Sequence, residues 1–190
     1  TTNGQKLFIK ALGEDERSAD LMFRMYRWTR RSQLGDERPF STLRRAIEHE
    51  ALVSLVARDL GVRTPHLIAV SPAGPGGFAL AYEAVKGRSL DRVDPAEFTD
   101  DLLDGVWGHL MVLRQHRVAH RDLRLANVFL ADDGALWMID FGFSEVAASD
   151  LLLATDLAEL IASSAVIVGA DRAVDAAMRA AGPASVATAL

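Results

Sequence analysis

The stretch His120-Arg121-Asp122-Leu123-Arg124-Leu125-Ala126-Asn127 decides how this chain is read. Five polar or charged side chains are set among small and branched apolar ones. Eighteen residues after Asp122 comes Asp140-Phe141-Gly142. Between the two, Val128-Phe129-Leu130 and Leu136-Trp137-Met138-Ile139 flank Asp132-Asp133-Gly134, the pattern of two short strands joined by a tight turn. Asp122 and Asn127 therefore precede a hairpin, and Asp140 follows it.

Working outward, Pro95 precedes a long helix in which Leu102, Leu103, Val106, Trp107, Leu110, Met111 and Arg114 recur at three and four. On the other side, Thr155 to Val168 reads as an apolar helix. Nearer the N-terminus, Lys6 to Leu12 reads as a strand after an Asn3-Gly4 turn. Ala19, Met22, Phe23 and Tyr26 give residues 14–40 helical spacing, with Arg24, Arg27 and Arg31 on another face, and Gly35-Asp36 and Pro39 end that helix. Ser41 or Thr42 could cap a second helix through Glu48, Glu50, Leu52, Leu55 and Val56, stopping at Gly61. Val62 to Val70 reads as a turn and a short strand containing Pro65, Ser71 to Gly77 as a loop, and Phe78 to Val85 as a buried strand that Lys86-Gly87-Arg88 breaks. The expectation is an α+β fold of two lobes. A small β-rich lobe over 1–85 carries an inserted helix at 14–40, a helical lobe spans 86–190, and Lys86-Gly87-Arg88 forms the hinge.

Composition narrows the function. The 190 residues are 49% hydrophobic, enough for a sizeable core. With 21 basic against 26 acidic side chains, the net charge of -5 speaks against a general nucleic-acid binder. The chain has no cysteine, hence no disulfide and no thiolate metal site; this fits a reducing, cytoplasmic setting. The longest apolar run, Leu160 to Ala170, is about half the ~20 residues of a membrane span. His49, His66, His109 and His116 are scattered without metal-ligand spacing. Only three of the 21 basic residues are lysines (Lys6, Lys10, Lys86). A lysine in a special place is thus informative, because its flexible ammonium is not interchangeable with the planar fork of arginine.

The segment from His120 to Asn127 resembles the catalytic loop of protein kinases, and Asp140-Phe141-Gly142 resembles their metal-binding tripeptide. The resemblance implies ATP and Mg2+ as cofactors and the transfer of a phosphoryl group to a hydroxyl acceptor. Asp122 would accept the hydroxyl proton, Arg124 would neutralise the transferred phosphoryl, and Asn127 and Asp140 would hold the metal. Phe8-Ile9-Lys10-Ala11-Leu12 resembles the strand whose lysine meets the nucleotide phosphates. Its helix partner would be Glu50, with Glu48 as the alternative. Phe78 to Gly87 resembles the strand leading to the hinge, where the Glu83 carbonyl and the Val85 amide would take adenine and Tyr82 would line the pocket. His120 and Asp156 would be structural, Asp156 starting a core helix and bonding the catalytic-loop backbone.

Two departures set the chain apart from ordinary protein kinases. Only nine residues precede Lys10, too few for a Gly-rich phosphate loop and its strands. Only thirteen residues separate Gly142 from Asp156, and no Ala-Pro-Glu follows. The small lobe therefore looks truncated and the chain a piece of something longer. The compact path after Gly142 resembles atypical kinases of the RIO, UbiB-like and small-molecule phosphotransferase groups, although the Lys-x-Gly-Gln of UbiB and the His-Gly-Asp of aminoglycoside-type enzymes are lacking. More narrowly, Glu37 to Ser41, Glu48-His49-Glu50-Ala51 and Ala119 to Asn127 resemble the cytoplasmic kinase-like domain of bacterial lysylphosphatidylglycerol synthase transmembrane-type proteins. That resemblance implies a covalently linked transmembrane domain and a place at the cytoplasmic face of a membrane. Two other functions fit the residues: a nucleotide-sensing pseudokinase domain, or an interaction module in which Arg24, Arg27, Arg30 and Arg31 with Trp28 meet anionic headgroups. The acceptor is not legible.

Overall fold

A computed structural model describes residues 6–13, 43–74 and 76–190. The helix expected over 14–40, its arginine cluster with Trp28, the Glu37 to Ser41 stretch and the Ser41 or Thr42 cap lie outside the described residues. What is described is an α+β chain: two three-stranded antiparallel sheets and five helices among the described residues. These residues divide into two units, those of 1–52 and 66–84 and those of 53–65 and 85–190.

The first unit holds β1 (Leu7–Leu12), the start of α1 (Leu43–Asp59), β2 (Leu67–Pro72) and β3 (Phe78–Glu83). The strand order is β1-β3-β2, with β3 in the centre. β3 is the most buried of the three, as a strand paired on both edges should be. Alternation then sorts the side chains. Phe8, Lys10 and Leu12 stand opposite Tyr82, Leu80 and Phe78, and Leu80 and Tyr82 are buried with Ile47 and Ala51 of α1. Lys10 thus lies on the sheet face turned toward α1. β2 begins at Leu67, so Pro65 precedes the strand rather than lying in it; a residue without an N–H is poorly suited to the ladder. β2 also runs through Pro72, into what the sequence suggested was loop, on a sheet edge where a proline is tolerated.

The second unit is mainly helical. Its elements are β4 (Gly87–Ser89), α2 (Asp100–Gln115), β5 (Val128–Ala131), β6 (Leu136–Met138), α3 (Asp150–Val168), α4 (Ala170–Ala181) and α5 (Pro183–Ala189). The Thr99 hydroxyl caps α2 by accepting from the Leu102 amide, with Asp100 and Asp101 in the first turn where the helix dipole favours acids. Leu103, Val106, Trp107, Leu110 and Leu113 form its buried stripe and meet Leu157, Leu160 and Ile161 of α3 in one core. At about 2 kcal/mol per fully buried large apolar side chain, this shared core dominates the unit.

Two readings are refined here. The strand before Lys86-Gly87-Arg88 does end, at Glu83, but Gly87–Ser89 is itself a short strand paired with β5. Gly87 is needed there: its φ is +151°, and a Cβ would stand 2.2 Å from the Leu130 carbonyl oxygen. Second, the apolar helix begins at Asp150, not Thr155. The Ser149 hydroxyl accepts from the Leu152 amide as its cap, and Thr155 instead donates to the Leu151 carbonyl one turn back. Asp156 therefore sits in the second turn rather than at the start. At this length α3 has the size and apolarity to cross a membrane, but here Leu153, Leu157, Leu160 and Ile161 are buried as in a core helix.

Candidate active site

In the first unit, β1, α1 and β3 each contribute one side chain to a polar cluster. The Lys10 Nζ donates to both carboxylate oxygens of Glu50, each at 3.0 Å. The Tyr82 hydroxyl donates to Glu50 Oε1 at 3.4 Å. Glu50 is 4% exposed, so its charge needs those partners. Glu48, the alternative partner, is exposed on another face of α1 and pairs with Arg44 one turn away at 2.7 Å. The choice between them follows from helix geometry, since residues two apart point in different directions.

Glu83 ends β3. Its amide donates to the His66 carbonyl, and its carboxylate accepts from the His66 amide at 2.8 Å. Val85 lies just beyond, in the connecting residues before β4.

In the second unit, the residues His120 to Asn127 form an irregular loop that ends in a single 3-10 turn over Leu125–Asn127. Irregular backbone that is buried must find hydrogen-bond acceptors outside itself. α3 supplies them. Asp156 Oδ2 accepts from the His120 amide at 2.6 Å and its Oδ1 from the Arg121 amide at 2.7 Å. Glu159 Oε2 accepts from the Leu123 amide at 2.9 Å, and the Ser163 hydroxyl accepts from the Leu125 amide at 2.7 Å. Residues 156, 159 and 163 follow the i, i+3, i+7 spacing of one helix face. Glu159 and Ser163 were missed in the sequence; the signal that could have found them is this polar stripe on an otherwise apolar helix.

The Asp122 and Asn127 side chains turn inward, while Arg124 is half-exposed. Asp122 is 3% exposed. Arg124 reaches it as a fork, Nε donating to Oδ1 at 2.8 Å and Nη2 to Oδ2 at 3.0 Å. The Asn127 amide nitrogen donates to the Asp122 carbonyl at 2.8 Å and to its Oδ2 at 3.1 Å. That leaves the Asn127 amide oxygen as the atom it can offer a cation. Asp140 is brought to the same end of the hairpin by register: Val128 pairs with Met138, and the Ile139 amide donates to the Asn127 carbonyl at 3.0 Å. Arg121 and Asp140 both hold left-handed backbone at φ 65°. Such geometry in non-glycine residues is uncommon and clusters at functional sites.

His120 ties the loop to the segment around Asp140. Its Nε2 donates to the Ile139 carbonyl at 3.0 Å, its ring stands 4.9 Å from that of Phe141, and its carbonyl accepts from the Ser144 hydroxyl at 3.1 Å. Nδ1 is buried without a partner. Burial holds the imidazole pKa below its ordinary value, partly offset by the Ile139 bond, so the ring is neutral at pH 7. Burial also dominates at Asp156, whose carboxyl is pushed up to about 7 against the opposing pull of the two amides. The hydrogen bond to Asp122 raises the Arg124 pKa, so its charge is permanent. After Gly142 the chain stays against the loop. Ala119 and Glu145 exchange backbone hydrogen bonds at 2.9 and 2.8 Å, and Arg121 pairs with the Glu145 carboxylate at 3.4 Å.

The ten residues singled out in the sequence therefore fall into groups. Lys10 and Glu50 are joined in the first unit, where Glu83 also lies. His120, Asp122, Arg124, Asn127 and Asp156 are joined in the second by direct hydrogen bonds, with Asp140 held close by the hairpin register. Val85 lies in the connecting residues between β3 and β4. Among the described residues, no three His, Cys, Asp or Glu side chains converge as a metal-binding group. The donor set on hand, the Asp140 carboxylate and the Asn127 amide oxygen, fits a magnesium ion, which prefers hard oxygen and fills most of its shell with water and phosphate.

No family model matches the chain. Among curated proteins it is similar to a probable serine/threonine-protein kinase, MARK-B, of Dictyostelium discoideum, with 29% identity over 119 residues, or 63% of this chain and 16% of that protein. It is also 32% identical over 76 residues to a putative uncharacterized protein of the same organism, covering 40% of this chain and 8% of that one. The chain thus spans less than a fifth of the length of either relative. The partial likeness to a kinase suggests a kinase-like domain and goes no further.

Proposed function

We propose that this chain is an atypical kinase-like domain, of two-lobed protein-kinase-like fold, that binds ATP with magnesium and passes a phosphoryl group to a hydroxyl acceptor. The observation that carries the proposal is the setting of Asp122: a buried carboxylate, bonded by Arg124 and Asn127, in a loop whose amides are fixed by a neighbouring helix. A general base must be held in place before its pKa matters. In this reading Asp122 accepts the proton of the acceptor hydroxyl as the new O–P bond forms and the bond to the leaving diphosphate breaks. Arg124 neutralises charge on the transferred group. Asn127 and Asp140 would hold magnesium, which when bound offsets phosphate charge. Lys10, kept extended by Glu50, is assigned to the nucleotide phosphates, and Glu83 and Val85 to adenine through main-chain atoms. The narrower resemblance to kinase-like domains of bacterial transmembrane synthase-type proteins adds a linked membrane domain and a cytoplasmic location to the proposal.

The test is Mg-ATP binding and turnover by the whole protein, with lipid, small-molecule and protein hydroxyl acceptors. Turnover abolished by Asp122→Asn, with ATP binding retained, supports phosphotransfer. One observation favours the rival pseudokinase reading: the Arg124 fork occupies both oxygens of Asp122. Nucleotide binding without turnover, unaffected by Asp122→Asn, would decide for that rival.

A further inference from the structure

The loop's attachment to α3 goes beyond the residues assigned above. Asp122 is flanked by two amides, those of Arg121 and Leu123, and each donates to a carboxylate of the same helix: Arg121 to Asp156 and Leu123 to Glu159. One turn further on, Ser163 takes the Leu125 amide. Leu123 is fully buried, so its N–H has no access to water and depends on Glu159. Asp156 fixes the chain on one side of Asp122 only; on the other side Glu159 takes the amide next to it, and Ser163 the amide two residues further on. The Arg124 backbone bond to the Asp122 carbonyl is local and turns with the loop. An apolar core helix has no packing reason to place a glutamate on the stripe that faces this loop.

We propose that Glu159 is a positioning residue, seconded by Ser163, which fixes the direction of Asp122 by accepting the Leu123 amide. The role depends on an acceptor oxygen and not on charge. It rests on the reading of Asp122 as the base, but the attachment itself can be measured without any activity. A charge-based role is the rival, since the Glu159 carboxylate is close enough to Arg124 and His120 to act on both electrostatically.

The experiment compares Glu159→Gln, which keeps an acceptor and loses the charge, with Glu159→Leu, which loses both. Hydrogen exchange of the Leu123 amide in the whole protein should speed up roughly tenfold or more in Glu159→Leu and stay near wild type in Glu159→Gln. Where Mg-ATP turnover is present, kcat should fall about 10- to 100-fold in Glu159→Leu, with the KM for ATP unchanged, and be largely kept by Glu159→Gln. A protein without turnover refutes the phosphotransfer reading, while exchange still decides the attachment. Unchanged exchange at Leu123 in Glu159→Leu overturns the proposal, as does an equal loss of kcat in both variants. Should Glu159→Leu fail to fold, Glu159→Gln and Ser163→Ala carry the test. Slow exchange at Leu123 in the first and fast exchange at Leu125 alone in the second support the proposal; fast exchange at Leu123 in Glu159→Gln refutes it.

Discussion

The two polar clusters are built on different principles. Lys10, Glu50 and Tyr82 come from three elements and meet only through side chains, around one buried carboxylate. The loop around Asp122 is held mainly by its backbone, through four amides bonded to three side chains of α3. The first arrangement concentrates its energy in one ion pair. The second spreads it over several hydrogen bonds, each fixing its own stretch of the loop. The difference teaches that a charged group can be placed either by an opposite charge or by fixing the chain that carries it, and the two respond differently to substitution.

The largest effect should come from the residue that serves two amides at once. Asp156→Ala removes the acceptor of the buried His120 amide and of the partly buried Arg121 amide. At about 1–3 kcal/mol for each unsatisfied buried donor, a loss of roughly 3 kcal/mol is expected. Urea unfolding followed by the fluorescence of Trp107 and Trp137, both in the second unit, would measure it. A loss under ~1 kcal/mol would mean that the remaining bonds to Glu159 and Ser163 suffice, which sharpens the picture of a distributed attachment.

Next is Lys10→Met, which leaves Glu50 buried without its cation. Removing one partner of a fully buried pair costs about 3–5 kcal/mol. The Lys10 side chain is 27% exposed, so about 2 kcal/mol is the better expectation after solvent screening. Adding Glu50→Gln to Lys10→Met should recover part of that loss, because the uncompensated charge goes. A double variant no more stable than the single one would show that the pair holds the cluster by packing rather than by charge.

The pH dependence separates the two regions further. The folded pKa of Asp156, about 7, lies above its ordinary 3.8 because burial penalises the carboxylate more than its two amide partners favour it. Its contribution to stability is therefore fully present below pH ~4 and is lost as pH rises through about 7. Unfolding free energy measured from pH 4 to 8 should carry this downward component with rising pH, and Asp156→Asn should flatten it. The asparagine keeps one acceptor oxygen but points a donor at the second amide, so its baseline stability falls below wild type. A slope unchanged in Asp156→Asn would assign the titration to another group.

Legibility in the sequence follows the same division. Lys10 and Glu50 could be read because each is a side chain of distinctive chemistry, 40 positions apart, one on an alternating strand and one on a helix. Asp122, Arg124 and Asn127 could be read for the same reason. Of the side chains that hold the loop, Asp156 came only with the resemblance to the kinase loop, and the other two were not read. Glu159 and Ser163 act on main-chain amides, and a sequence does not display which amides lack partners. The start of α3 was misplaced because Thr155-Asp156 looks like a cap and Leu151 to Leu153 has no helical period of its own. The threonine's bond to Leu151 and the serine cap at Ser149 appear only once the helix is formed. Gly87 misled in the opposite sense. It reads as a breaker, yet it lets β4 lie against the Leu130 backbone.

The smallest effect belongs to Glu48, and it tests whether the first cluster owes its strength to burial. Glu48 and Glu50 share one helix, one charge and a similar distance from Lys10 in the sequence. Glu48 pairs with Arg44 at the shorter distance, 2.7 Å against 3.0 Å. Were distance decisive, Glu48→Ala would cost more than the loss of the Lys10 pair. Both members of its pair are more than half exposed, where water competes for each charge and an i, i+4 pair contributes only about 0.3–0.5 kcal/mol. Glu48→Ala should therefore lower the unfolding free energy by no more than that, and 1 M salt should shrink the loss further, since the Debye length there is only ~3 Å. The Lys10–Glu50 contribution should survive the same salt largely intact, because the carboxylate is out of reach of counterions. Equal salt sensitivity of the two pairs would place Glu50 in contact with solvent and undo the comparison.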